Sequence, residues 1–224
     1  MTGATSWNLN RVLTNKWAKV VLFFLGLTPF LVLLWLTFVK HDLTANPIEY
    51  ITHFTGNWAL RFLLITLCIT PLRMFLKRPV LTRFRRMLGL FAFFYACLHM
   101  LTWAALDQQF HADLMVADIL KRKYITVGMA AFVLLLPLAI TSTNGWTRRL
   151  GYKRWQKLHR IVYFVPALAV VHYYWLVKSD VRLPLMYGAF LLALLALRIP
   201  VWVQKKPGAA RKRPRPAEAR GTAS

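Results

Sequence analysis

Residues 155–175, WQKLHRIVYFVPALAVVHYYW, decide how this chain is read. The stretch is long and apolar enough to cross a hydrocarbon core of about 30 Å, which takes about 20 helical residues. It is therefore expected to form one membrane-spanning helix. His159 stands at its start and His172 thirteen positions later. At about 1.5 Å of rise per residue the two imidazoles lie roughly 20 Å apart along the axis. One belongs near one membrane face and the other well towards the opposite side. Ionisable side chains at membrane depth are rare and usually functional. Imidazole is also a standard axial ligand of haem iron. The stretch thus points to a haem-carrying transmembrane electron conduit. Ideal α-helical winding leaves the two rings roughly 140° from sharing a face. Pro166 lies between them and can alter the winding; otherwise the two histidines serve different seams and different tasks.

Working outward, the chain has 224 residues, 58% of them hydrophobic and only 17% charged, too apolar for an ordinary soluble domain. Thirty Lys and Arg against seven Asp and Glu give a net charge of +23. In a soluble protein this excess would suggest nucleic acid. Here the basic residues fall between long apolar runs, so they report membrane orientation and no nucleic-acid partner is expected. The expected fold is an all-α integral membrane protein, a bundle of six transmembrane helices. The expected spans are residues 17–39 (interrupted by Pro29), 57–76, 86–106, 124–141, 155–175 and 184–203. Residues 40–56 read as a polar connection, and Pro71 as a kink or stop. Residues 107–123 hold an amphipathic piece, and Asn144–Gly145 marks a turn. Residues 1–16 form an N-terminal segment, 17–203 the membrane domain, and 204–224 a basic tail expected to be disordered. Cys68 and Cys97 read as buried apolar residues, not a disulfide. No cleaved leader is expected at the N-terminus.

Six spans put both termini on one side. The segments on that side carry 23 of the 30 Lys and Arg, against 7 on the other. Both termini are accordingly expected in the cytoplasm. Six of the seven acidic residues, Asp42, Glu49, Asp107, Asp113, Asp118 and Asp180, fall on the outer side.

Spans three and five then run in the same direction. His99 lies thirteen positions into span three from Arg86, and His172 thirteen positions into span five from His159. The two imidazoles are therefore expected at one level in the outer half, where they can clamp one iron from both faces. Two axial imidazoles leave no open position, which suits electron transfer better than oxygen chemistry. The competing reading is a pair of helix-packing histidines. At the level of His159, span three offers Arg85 and Arg86. Arginine stays protonated and is a poor iron ligand, but it suits haem propionates, a flavin phosphate or a quinone carbonyl. Both arginines read equally well as positive-inside anchors. His41, His53 and His111 read as interface or surface histidines, and the aromatics at the ends of span five as a membrane-interface belt.

Three runs carry a more specific signal: GNWALRFLLITLCITPLR (56–73), RRMLGLFAFFYACLHMLTW (85–103) and TSTNGWTRRLGYKRWQKLHRIVYF (141–164). In this order they resemble the haem-binding membrane subunits of the bacterial periplasmic methionine sulfoxide reductase system. These belong to the ferric reductase-like transmembrane superfamily. The resemblance covers almost the whole chain apart from the basic tail. It implies an inner-membrane protein with a b-type haem and an FMN. It also implies electron delivery to a periplasmic molybdopterin-containing catalytic subunit that repairs methionine sulfoxide in oxidised proteins. The implied donor is the quinone pool or a cytoplasmic flavin reductase. His99, His159 and His172 match the family pattern. The wider superfamily stacks two haems between two histidine pairs, and Arg85 and Arg86 depart from that arrangement. No stretch reads as an NADPH- or FAD-binding domain, so direct NADPH oxidation is not expected. The competing functional classes are a self-sufficient ferric or oxygen reductase and a non-redox transporter or assembly factor.

Overall fold

The protein is described from a computed structural model covering residues 11–40 and 43–198. Those residues contain helices and no strand. The main helices, in chain order, are α1 (Lys16–Trp35), α2 (Pro47–Phe75), α3 (Thr82–Thr102), α4 (Ala112–Lys121), α5 (Lys123–Ile140), α6 (Asn144–Leu150), α7 (Tyr152–Leu158), α8 (Phe164–Leu176) and α9 (Arg182–Ala196). Wide π-helical turns extend α1 through Leu36–Lys40 and α3 through Trp103–Asp107. Four units are long and apolar enough to cross a membrane: Lys16–Lys40, Pro47–Phe75, Pro79–Asp107 and Lys123–Ile140. They present Phe23, Leu25, Val32, Phe75, Leu101 and Val133 outwards, as a multi-pass membrane protein requires.

Local chemistry corrects several sequence expectations. Helix α2 begins ten residues before the expected span, inside the supposed polar connection. Asn46 caps it by accepting from the Glu49 N–H, and Pro47 occupies the first turn, where its missing N–H costs nothing. Pro71 does not stop α2, which runs on to Phe75. Asn144–Gly145 is not a free turn. Thr143 accepts from the Trp146 N–H and starts α6 there. The expected fifth span is not one continuous α-helix. A 3₁₀ segment, His159–Tyr163, joins α7 to α8. Pro166 has no N–H to offer the Val162 carbonyl, so the turn before it winds tighter. The amphipathic piece is found as α4, and Cys68 and Cys97 are free thiols. Residues 199–203 of the sixth expected span and the tail 204–224 lie outside the described residues.

The core is built by α2 and α3, which share the most extensive contact, with α5 and α8 laid against them. Phe62, Leu63, Phe84, Leu88, Phe91, Tyr95, Leu135 and Val165 are buried in one cluster. Phe62 stacks between Tyr95, at 5.3 Å, and Phe91, at 5.5 Å. Gly26 brings α1 onto this stack, since a Cβ there would sit 2.5 Å from the Phe91 ring. Pro29 does not interrupt α1. The Tyr95 hydroxyl donates to the Gly26 carbonyl (2.9 Å) and accepts from the Phe30 N–H (3.0 Å). It thereby bridges the two groups that ordinarily pair within the helix.

Candidate functional site

Two cavities lie inside the bundle. The first, of about 640 Å³, is walled by α2, α3, α5 and α8 and contains both His99 and His172. Helix α3 supplies His99 and α8 supplies His172, and their ring centres are 6.0 Å apart with the planes at 81°. The two seats are built alike. His99 Nδ1 hydrogen-bonds the Thr52 carbonyl at 2.9 Å, and His172 Nδ1 the Tyr124 carbonyl at 2.6 Å. A carbonyl can only accept, so each ring carries its proton on Nδ1 and keeps the Nε2 lone pair. Four residues after each carbonyl stands a glycine. A Cβ on Gly56 would lie 3.0 Å from the His99 ring, and one on Gly128 would lie 2.6 Å from His172 Nδ1. The two glycines let the imidazoles lie flat against neighbouring backbone.

The separation suits a shared iron. With a metal–nitrogen bond of about 2.0–2.1 Å on each side and about 1.1 Å from nitrogen to ring centre, two in-line imidazoles have centres about 6.3 Å apart. Among the described residues no group of three or more His, Cys, Asp or Glu could hold a bare metal ion. Two imidazoles in a largely apolar chamber instead suit haem, whose macrocycle supplies the remaining iron ligands. The chamber falls within the range of about 300–1,000 Å³ usual for ligand sites.

The second cavity, of about 1070 Å³, meets the first at Leu63 and Leu135, which line both. Its wall includes Arg73, Arg85, Arg86, Arg160 and Arg198, with His159, Trp155 and Tyr163, and among the described residues no Asp or Glu. Arg86 donates to the Asn144 side chain at 2.7 Å. His159 is held differently from the other two histidines. The Thr141 hydroxyl donates to the Pro137 carbonyl, so at 3.0 Å from His159 Nε2 it must accept. Nε2 therefore carries the proton and Nδ1 is the acceptor. Trp155 covers the ring at 4.1 Å and donates to the Thr141 carbonyl at 2.9 Å. It is thus tied into this wall rather than serving only as an interface aromatic.

The structure brings His99 and His172 together and places His159, Arg85 and Arg86 on the other cavity. The 3₁₀ segment explains how one strand of sequence serves both. Five residues at about 120° per step recover roughly 100° of the 140° that an ideal α-helix leaves open. Sequence reading missed the holding groups, because a backbone carbonyl has no residue signature; the isolated Gly56 and Gly128 in apolar helices were the available signal. It also missed His53, which lines the first cavity within 3.9 Å of Glu49, and Arg198. His111 remains exposed.

Residues 55–170 match the family described as ferric reductase like transmembrane component. The protein-methionine-sulfoxide reductase heme-binding subunit MsrQ of Herminiimonas arsenicoxydans is 52% identical, over 84% of this chain and 86% of its own length. The MsrQ of Xanthomonas euvesicatoria is 51% identical over 80% and 82%, and that of Bordetella pertussis 48% over 86% and 93%. No solved structure matches the chain. The matched segment contains His99, His159 and the parts of both cavity walls that lie between residues 55 and 170, and on this evidence the chain belongs to the ferric reductase-like transmembrane family, alongside the MsrQ subunits.

Proposed function

We propose that this chain is the haem b-carrying membrane subunit that delivers electrons to a periplasmic methionine sulfoxide reductase. The observation that carries the reading is the pair of imidazoles 6.0 Å apart, each fixed at Nδ1 by a carbonyl of a neighbouring helix. The names of the relatives support the haem and the reductase, since each is called a protein-methionine-sulfoxide reductase heme-binding subunit. Haem, when bound, supplies a one-electron ferric–ferrous couple. The chain's own part is to hold it. Thr52 and Tyr124 fix the tautomer and orientation of His99 and His172, and a hydrogen bond to the far nitrogen makes each imidazole a stronger donor. His99 and His172 would hold the haem between them, an arrangement that suits electron transfer better than oxygen chemistry.

The arginine cavity is assigned to the electron-donor side. Arg85 and Arg86 are assigned to a flavin phosphate, as in FMN, or to a quinone carbonyl. His159 is assigned there too, as entry-side ligand or donor-site residue. Its Nε2 bond to Thr141 favours the donor-site role. The donor is a quinone or a cytoplasmic flavin reductase, and the acceptor a molybdopterin-containing subunit in the periplasm. In this reading α1, α2, α3, α5, the α7–α8 unit and α9 make six crossings of the bacterial inner membrane. Residues 17–203 form the haem-binding domain, and the segments 1–16 and 204–224 lie in the cytoplasm.

Visible spectra of the detergent-purified chain, oxidised and dithionite-reduced, test the reading. A b-type spectrum with about one haem per chain is expected for a single bis-imidazole site. His99→Ala and His172→Ala should each lose most of it. Full haem in both variants would overturn the pairing.

A further inference from the structure

Arg198 stands just past the end of α9, 1% exposed and deeper in the protein than any other arginine described. Its Nη2 donates to the Leu67 carbonyl of α2, and its guanidinium lies 4.9 Å from the Tyr163 ring centre. Nε and Nη1 are also buried, yet among the described residues neither has a hydrogen-bond partner. No ion pair reaches Arg198 among those residues. The guanidinium forms part of the wall of the arginine cavity, which among the described residues has four further arginines and no carboxylate. A guanidinium does not deprotonate in a protein, and burying it without a counter-charge is strongly unfavourable. Among the described residues nothing supplies that negative charge, and an anion entering the cavity would. The unpartnered donors specify an oxyanion, the group guanidinium binds best. The neighbouring Trp155 and Tyr163 suit an attached planar ring.

We propose that Arg198 is the buried anchor of an oxyanion site in the arginine cavity, holding the phosphate of a planar redox ligand such as a flavin mononucleotide. The proposal rests on the donor-side reading of that cavity and adds the residue that sets its charge selectivity. A phospholipid headgroup offers the same phosphate chemistry, and the test separates the two sources.

The full-length chain in detergent is titrated with FMN and with riboflavin, which has the same ring and no phosphate, following flavin fluorescence. Haem per chain is measured on the same samples. Phosphorus is determined in the lipid that co-purifies. Wild type should favour FMN over riboflavin by about tenfold or more, as one charge-assisted contact predicts. Arg198→Met should bring that ratio close to one and leave the haem spectrum unchanged. Arg198→Lys, which keeps the charge with fewer donors, should fall between, and it also serves if the methionine variant folds poorly. A fall in bound lipid phosphorus in Arg198→Met, with no flavin preference in wild type, would support the site with lipid as the phosphate source. Unchanged FMN preference and unchanged lipid phosphorus in a variant with full haem would overturn the proposal and leave the haem reading standing. Absence of haem from wild type would strike the conduit reading instead.

Discussion

At the scale of single residues, the haem reading depends on backbone as much as on histidine. The Tyr124 carbonyl and Gly128 together make the seat of His172, and the added Cβ of Gly128→Ala would stand 2.6 Å from a ring nitrogen pinned by a 2.6 Å hydrogen bond. The imidazole cannot yield without breaking that bond or leaving the iron axis. Gly128→Ala should therefore lower haem occupancy by about tenfold, the low end of losses for groups that orient a metal ligand. Gly56→Ala, with its contact at 3.0 Å, should cost less. Gly188→Ala, which meets Val170 at an ordinary 3.4 Å, serves as the control. Haem per chain, read from the reduced spectrum, checks the order. Equal occupancy in all three would mean that these glycines do not set the seats. The level of His99 and His172 was legible in the sequence because helical rise alone fixes depth along a span. Their holding groups were not, since any residue supplies a carbonyl.

At the scale of elements, sequence patterning located the apolar helices but misjudged their punctuation. Pro29 was read as an interruption, Pro71 as a kink or stop and Pro166 as able to alter the winding, and the effect of each depended on its neighbours. Helix α1 passes Pro29 unbroken, with the Tyr95 hydroxyl bridging Gly26 and Phe30 one turn around it. That partner comes from α3 and no local pattern announces it. Tyr95→Phe would leave a buried carbonyl and N–H to find each other across a widened turn, a loss of about 1–3 kcal/mol. For a chain of this size that is a fall in Tm of roughly 2–10 °C, measurable by thermal unfolding in detergent. No change in Tm would show that the two backbone groups re-pair without cost. Pro166 acts the other way and tightens the chain into the 3₁₀ segment His159–Tyr163. Restoring an N–H with Pro166→Ala should let α-helical winding run back through this segment and rotate His159 away from its Thr141 contact. The expected result is unchanged haem at His99 and His172 with altered flavin or quinol reactivity at the arginine cavity. Loss of haem with unchanged donor-side reactivity would refute that division.

At the scale of the whole molecule, the two cavities differ in the charge of their walls. Arg73, Arg85, Arg86 and Arg160 line the larger cavity and all belong to the 23 basic residues on one side of the six-span reading. Glu49, Asp107 and Arg122 line the smaller one and belong to the other side, where six of the seven acidic residues fall. The Arg122–Asp118 ion pair, at 2.8 Å, and the Trp103 bond to Asp118 tie that rim together. In the proposed six-span topology, positive-inside orientation would put the arginine cavity towards the cytoplasm and the histidine cavity towards the periplasm. Leu63 and Leu135 line both, so in the proposed function the route from donor side to haem side would cross one apolar layer. Four of the six proposed crossings are long helices, and the remaining two rest on the jointed α7–α8 unit and on α9. Reporter fusions decide the count. A fluorescent protein that folds only in the cytoplasm, joined after Ser224, should glow, and one joined at Gln109 should not. Alkaline phosphatase, active only after export, should give the inverse pattern at the same two points. Both reporters indicating one compartment at both points would make the number of crossings between Gln109 and the C-terminus even instead of odd. That would remove either the α7–α8 unit or α9 as a span, and loss of the α7–α8 unit would also remove the common direction of the two helices that carry His99 and His172.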